Sequence, residues 1–233
     1  MTEFEKSKPL SRRGKLLLAS VIFLVQVPLL HYALFRRSPK PVVMIPFHDD
    51  FSDPRALRRN YQSSGGDWRL IEGSLFSPGV KNNPLWLRAA LPREVAVEFD
   101  VRSDGQEGDI KVEIFGNGMD HGSGYILVHG GWNNSISVIA RFYEHGTALS
   151  QLREPLRPDS QVRVETRLNP VVPKRLYHWR IERRQSTLLW SIDGKLFLQF
   201  DDPFPLQGTG HDRFGFSSWE TPLYFDNLSI ESL

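Results

Sequence analysis

The feature that most constrains the fold is a two-residue alternation of apolar and polar side chains over roughly the last 185 residues. Val95, Val97, Phe99 and Val101 alternate with Glu94, Glu98, Asp100 and Arg102, and the run from Ile110 to Phe115 follows the same pattern. Ile136, Val138 and Ala140, then Val162 and Val164, then Tyr177, Trp179 and Ile181 continue it. Alternation of this kind marks strands with one buried face, because successive side chains in a strand point to opposite sides of the sheet. Turn chemistry separates the runs. Asp193-Gly194 lies between two apolar stretches as a two-residue hairpin signal, and Asp104-Gly105 and Gly116-Asn117-Gly118 punctuate the chain similarly. The spacing predicts about ten to twelve short strands in an antiparallel sandwich and no strongly amphipathic helix after His48. No repeat period is visible, which sets propellers and solenoids aside. The absence of cysteine excludes disulfides, thiolate metal sites and a thiol nucleophile.

A second feature lies upstream. Leu16 to Phe35 is a run of 20 residues without formal charge, the length that crosses a hydrocarbon core of about 30 Å as a helix. Arg12, Arg13 and Lys15 precede it and Arg36 and Arg37 follow. It lacks the small-residue cleavage site of a signal peptide, and Ser11-Arg12-Arg13 matches a twin-arginine signal only in part. The expected organisation is a cytoplasmic tail (1–13), one transmembrane helix (14–36), a proline-rich linker (37–47) and a β-sandwich (48–233). Basic residues favour a cytoplasmic N-terminus, which places the sandwich in a periplasm, attached to the inner membrane. The net charge of +2 hides a division: residues 1–40 hold eight basic and two acidic residues, so the remainder is acidic. The basic excess sits beside the apolar run and gives no reason to expect nucleic-acid binding. Within the run, Pro28 should kink the helix, and Gln26 and His31 are costly facing lipid. They are tolerated in a single-pass anchor, or they face a protein partner or a pigment.

His48-Asp-Asp-Phe-Ser-Asp53, Gly66-Asp-Trp-Arg-Leu-Ile-Glu-Gly-Ser-Leu75, Trp190-Ser-Ile-Asp-Gly-Lys-Leu196, Phe214-Gly-Phe-Ser-Ser-Trp219 and Leu223-Tyr-Phe-Asp-Asn-Leu-Ser-Ile230 occur in this order. Together they resemble the concanavalin A-like jelly-roll superfamily, in particular its family-16-like and 3-keto-disaccharide-hydrolase-type domains. The resemblance covers about residues 48–233 and implies a two-sheet antiparallel jelly-roll. It also implies a structural calcium site where the opening and closing strands meet, with Asp50 and Asp226 at the matching positions; otherwise these two aspartates cap turns.

Retaining family-16 enzymes carry Glu-x-Asp-x-(x)-Glu on one strand. Glu98-Phe-Asp100 begins that pattern, but Arg102 and Ser103 stand where the second glutamate is required. Two carboxylates are needed for the chemistry, so no enzyme is expected, and Glu98, Asp100 and Arg102 read as a charge ladder with a neighbouring strand. The seven histidines show no metal-binding spacing. Trp132, Tyr125, Trp86 and Trp219 are candidate platforms for a sugar or a protein partner, whereas Trp68, Trp179 and Trp190 fit the core. Two functions follow. One is a non-catalytic accessory subunit on the periplasmic face of a photosynthetic or respiratory membrane complex, with integral membrane subunits as partners. The alternative is an envelope carbohydrate-binding module, or a hydrolase of glycosides or 3-keto-glycosides with carboxylates from separate strands.

Overall fold

The computed structural model describes residues 11–35 and 40–233; the side chains of Leu29 and of 31–35 lie outside the described set. The chain separates into two units, residues 1–37 and residues 38–233. Within the first, helix α1 spans Arg12–Phe35 and contains Pro28. Its described apolar side chains are exposed all round, including Leu17, Ile22, Phe23, Leu24 and Val27. Among the described residues, however, no helix is long and apolar enough to cross a membrane. The tail at 1–10, the residues at 36–39 and the side chain of His31 lie outside the described residues.

The second unit is a sandwich of two eight-stranded sheets. Its strands are β1 (Phe47–Asp49), β2 (Tyr61–Ser63), β3 (Arg69–Ile71), β4 (Ser74–Ser77), β5 (Leu85–Leu87), β6 (Val95–Ser103), β7 (Ile110–Gly116) and β8 (Tyr125–Gly130), followed by β9 (Ile136–Arg141), β10 (Thr147–Ala148), β11 (Val162–Thr166), β12 (Tyr177–Arg184), β13 (Thr187–Ile192), β14 (Lys195–Asp201), β15 (Arg213–Ser218) and β16 (Leu223–Ser232). A five-residue helix α2 (Ala56–Asn60) leads into β2. Sixteen strands exceed the ten to twelve expected, because pieces of two or three residues such as β1, β5 and β10 are too short to show a period.

The first sheet runs β14-β13-β12-β6-β16-β4-β3, with β1 also on β16. The second runs β10-β11-β9-β8-β7-β15-β5-β2. All ladders are antiparallel except β10 on β11. The alternation becomes the inter-sheet core: Val95, Val97, Phe99 and Val101 of β6 and Trp179 and Ile181 of β12 are fully buried. Phe99 sits among Trp179, Phe214, Phe216 and Phe225 with ring centroids 5.4–6.1 Å apart. Each such buried ring contributes about 1.5–3 kcal/mol relative to exposure. The closing strand keeps its inward face only by a bulge. Its register shifts between Asp226 and Ser229, Asn227 adopts φ 51°, and the buried set passes from Leu223 and Phe225 to Leu228 and Ile230. The Asp193-Gly194 turn closes β13 on β14 with φ of 50° and 75°, the mirror-image geometry that suits strand twist. Ahead of β1, the amides of Val42 and Val43 donate to the carbonyl of Arg88 at 2.7 and 3.0 Å.

Candidate functional site

The outer faces of the two sheets differ in kind. On the first, Asp100 pairs with the Nδ1 side of His178 at 2.8 Å and accepts from Asn227 Nδ2 at 2.9 Å. Glu98 pairs with Arg180, its cross-strand neighbour, and Arg102 lies 4.0 Å over the Tyr224 ring. This is the charge ladder read from the sequence.

The second sheet turns a largely buried face outward. Ile126 and Val128 of β8 and Val138 and Ala140 of β9 form a small apolar floor, against which Trp132 and Ile136 pack. Beside them on β7, Lys111 and Glu113 are almost wholly buried. Loops rise around this floor and enclose a cavity of about 560 Å³. Its wall includes Asn82, Asp109, Lys111, Trp132, Glu144 and Trp219, drawn from five separate stretches of chain.

Trp132 owes its position to a left-handed turn. Trp132, Asn133 and Asn134 have φ of 52°, 57° and 59°, a conformation that costs a bulky residue about 1–3 kcal/mol. The Asn134 side chain secures it by bonding both ways with the backbone of Val171, each bond 2.7 Å long. Ser135 Oγ donates to the Trp132 carbonyl at 2.6 Å. The Trp132 ring meets the edge of His145 at 5.3 Å, with the Arg163 guanidinium 5.3 Å from its centroid. Strain of this kind persists where surrounding contacts over-determine it, and it gathers at functional sites.

The electrostatics centre on Lys111. Its Nζ donates to Asn82 Oδ1 at 2.9 Å and lies 2.9 Å from Glu144 Oε2 and 3.4 Å from Asp109 Oδ1. Burial raises the Asp109 carboxyl; Lys111 opposes the rise and Glu144 adds to it. Burial also pushes Glu144 up, but Lys111, with His121 and His145, outweighs it and holds this carboxyl below its ordinary value. Glu113 is separately satisfied by His121 Nδ1 at 2.6 Å and the Gly122 amide at 2.9 Å. The cavity thus offers two indoles beside several carboxylates and side-chain amides, a combination suited to hydroxyl-rich or cationic ligands.

Of the four aromatic candidates, Trp132 and Trp219 come together in this cavity, half-buried and exposed. Trp86 and Tyr125 do not serve as platforms. Trp86 is 1% exposed and lies flat on Gly116 and Gly215, where no Cβ intervenes. Tyr125 points into the inter-sheet core, and its hydroxyl donates to Asp202 Oδ2 at 2.7 Å. Asp202 also accepts from the buried Arg141 at 2.8 Å. Burial drives the Tyr125 phenol well above its ordinary value.

Asp50 and Asp226 each accept hydrogen bonds from the chain that follows them, as turn-capping aspartates do. Asp50 accepts from the Ser52 amide and hydroxyl at 3.1 and 2.7 Å, and Asp226 accepts from the Asn227 amide at 2.8 Å. Among the described residues no group of three side chains suited to a metal ion gathers. Gln26 and Pro28 lie within α1, with their side chains exposed. Asp109, Lys111 and Glu144 escaped the sequence reading. Lys111 was visible only as the polar half of an alternating strand, and Glu144 lies 33 positions from it, so nothing local joined them.

Among solved structures, a carbohydrate-binding module from Bacillus subtilis is similar with a TM-score of 0.57 at 16% identity, covering 74% of this chain and 96% of that one. The β-glucanase of Bacillus licheniformis gives 0.54 at 8% identity, covering 80% and 98%. A Bacillus subtilis protein of unknown function with a galectin-like fold gives 0.52 at 12%, covering 80% and 94%. At these identities the likeness establishes the fold, a concanavalin A-like sandwich, and nothing finer. No protein-family model matches the sequence, and no curated protein matches it.

Proposed function

We propose that this chain binds carbohydrate in the cavity on the outer face of the second sheet. The observation that carries the reading is the convergence of Trp132 and Trp219 on one cavity with the Asp109–Lys111–Glu144 network in its wall. Indole faces stack on the apolar faces of sugar rings, while carboxylates and amides accept and donate to hydroxyls. The volume suits one or two sugar residues, at the lower-middle of the range typical of small-ligand sites. Neighbours named for carbohydrate binding and β-glucan cleavage share the fold and so support the class. The accessory-subunit expectation draws no support from the described residues.

A second reading, hydrolysis, is favoured by one contrast: Asp109 is shifted up and Glu144 down, as the acid and base of a glycosidase are. Lys111 contacts both groups and favours their anionic forms, which weighs against a proton donor and towards binding. We further propose that α1 attaches the sandwich to a membrane. Support comes from the uncharged run Leu16–Phe35, its basic flanks and the apolar surface of the helix.

Affinity electrophoresis of the full chain through gels containing a panel of envelope and plant polysaccharides tests the first proposal. At least one neutral or amino polysaccharide should retard the protein. Trp132→Ala should weaken retardation by about thirtyfold, the loss of about 2 kcal/mol typical of an aromatic anchor. Unretarded migration in every gel overturns the reading. New reducing ends in the same samples would move it from binding to hydrolysis.

A further inference from the structure

Resting on the sugar-binding reading, we infer that the cavity sorts glycans by charge, taking a residue with a free amino group in preference to its neutral counterpart and turning away uronates. Four carboxylates line the cavity: Glu107, Asp109, Glu144 and Glu220. The ammonium in the wall, Lys111, is 1% exposed; its Nζ donates to Asn82 Oδ1 and lies 2.9 Å from Glu144 Oε2 and 3.4 Å from Asp109 Oδ1. It therefore neutralises part of the field from within the wall, buried beneath the surface a ligand carboxylate would reach. Glu220 pairs with Lys81 at 2.6 Å, but both side chains are more than half exposed, so water and salt weaken that pair. His145, the remaining basic group of the wall, is turned towards Trp132 and Tyr143 and stands 3.7 Å from Glu144.

The Arg163 guanidinium beside Trp132 is held by Glu165 at 2.8 Å and the Glu144 carbonyl at 2.9 Å. A uronate entering this space therefore meets carboxylates and cations already paired, whereas an ammonium meets carboxylates and two indoles. Indole faces attract ammonium groups through the ring quadrupole, and the attraction grows as water is excluded. Glu107, like Glu220, is exposed, so it can be altered without disturbing the buried network.

A glycan array carrying amino, N-acetyl, hydroxyl and carboxylate forms of the same backbones, probed with the full chain, tests the inference. The amino forms should bind about tenfold more tightly than the hydroxyl forms, and the uronates should stay unbound. The preference should shrink as salt is raised. Glu107→Gln should cut the amino-over-hydroxyl ratio about threefold. Uronates bound as well as neutral forms, or amino forms no better than acetylated ones, would overturn the charge-sorting proposal alone. An array with no bound glycan would overturn the sugar-binding reading together with it.

Discussion

Two residues carry conflicts between local and global demands. Trp132 holds a left-handed backbone that glycine adopts freely, so Trp132→Gly should relieve strain and raise stability by about 1 kcal/mol while removing the indole. A higher urea midpoint combined with lost glycan binding is the expected outcome; a lower midpoint would show that the ring contributes more to packing than its backbone costs. The tryptophan was legible in the sequence as a candidate because it lies in a glycine- and asparagine-rich stretch, but its strain was not, since that depends on Asn134 reaching Val171 37 positions away. His129 is the second case. It is 1% exposed among Tyr177, Trp179, Trp190 and Phe197, and its Nε2 pairs with the Asn169 carbonyl at 2.8 Å. Burial pushes this imidazole down to about 4. The unfolded chain takes up that proton near pH 6.5 and the folded chain only near pH 4, so the folded state loses stability as pH falls between those values. The loss attributable to His129 is on the order of 3 kcal/mol below pH 4. Urea titrations at pH 7 and pH 4 should show a smaller pH dependence for His129→Gln than for the unaltered chain.

At the level of elements, long alternating strands such as β6 and β12 and the Asp193-Gly194 hairpin could be read directly, because a period of two and a two-residue turn are local patterns. Short strands could not. β5 reads Leu-Trp-Leu, and the sequence offers Trp86 as a candidate platform. It is buried because β5 pairs with β15 and puts Gly215 directly opposite Trp86, a contact between segments more than a hundred residues apart. A methyl group at Gly215 would lie 2.8 Å from Trp86 Cε3. Gly215→Ala should therefore destabilise the sandwich by about 1–3 kcal/mol through overpacking. Thermal melting should report it, and an unchanged melting temperature would mean that the ring shifts aside at no cost. The candidate site was hidden for a similar reason: its wall comes from the β4–β5, β6–β7, β8–β9, β9–β10 and β15–β16 connections, which only the closed topology brings together.

For the whole molecule, the two units make separable claims. If α1 attaches the chain to lipid, the full protein should stay in the membrane pellet through alkaline carbonate extraction, while a chain beginning at Lys40 should be soluble and keep its glycan binding. Release of the full chain by carbonate would leave α1 without that role. The sandwich itself receives the upstream chain in a particular way. Val42 and Val43 bond to Arg88, and β1 then lies along β16 with Phe47 opposite Ile230. β16 is an interior strand, flanked by β6 on its other side. If α1 holds the chain to lipid, a load passing down the chain reaches the sandwich at β1, and so enters the sheet through an interior strand and not through its rim.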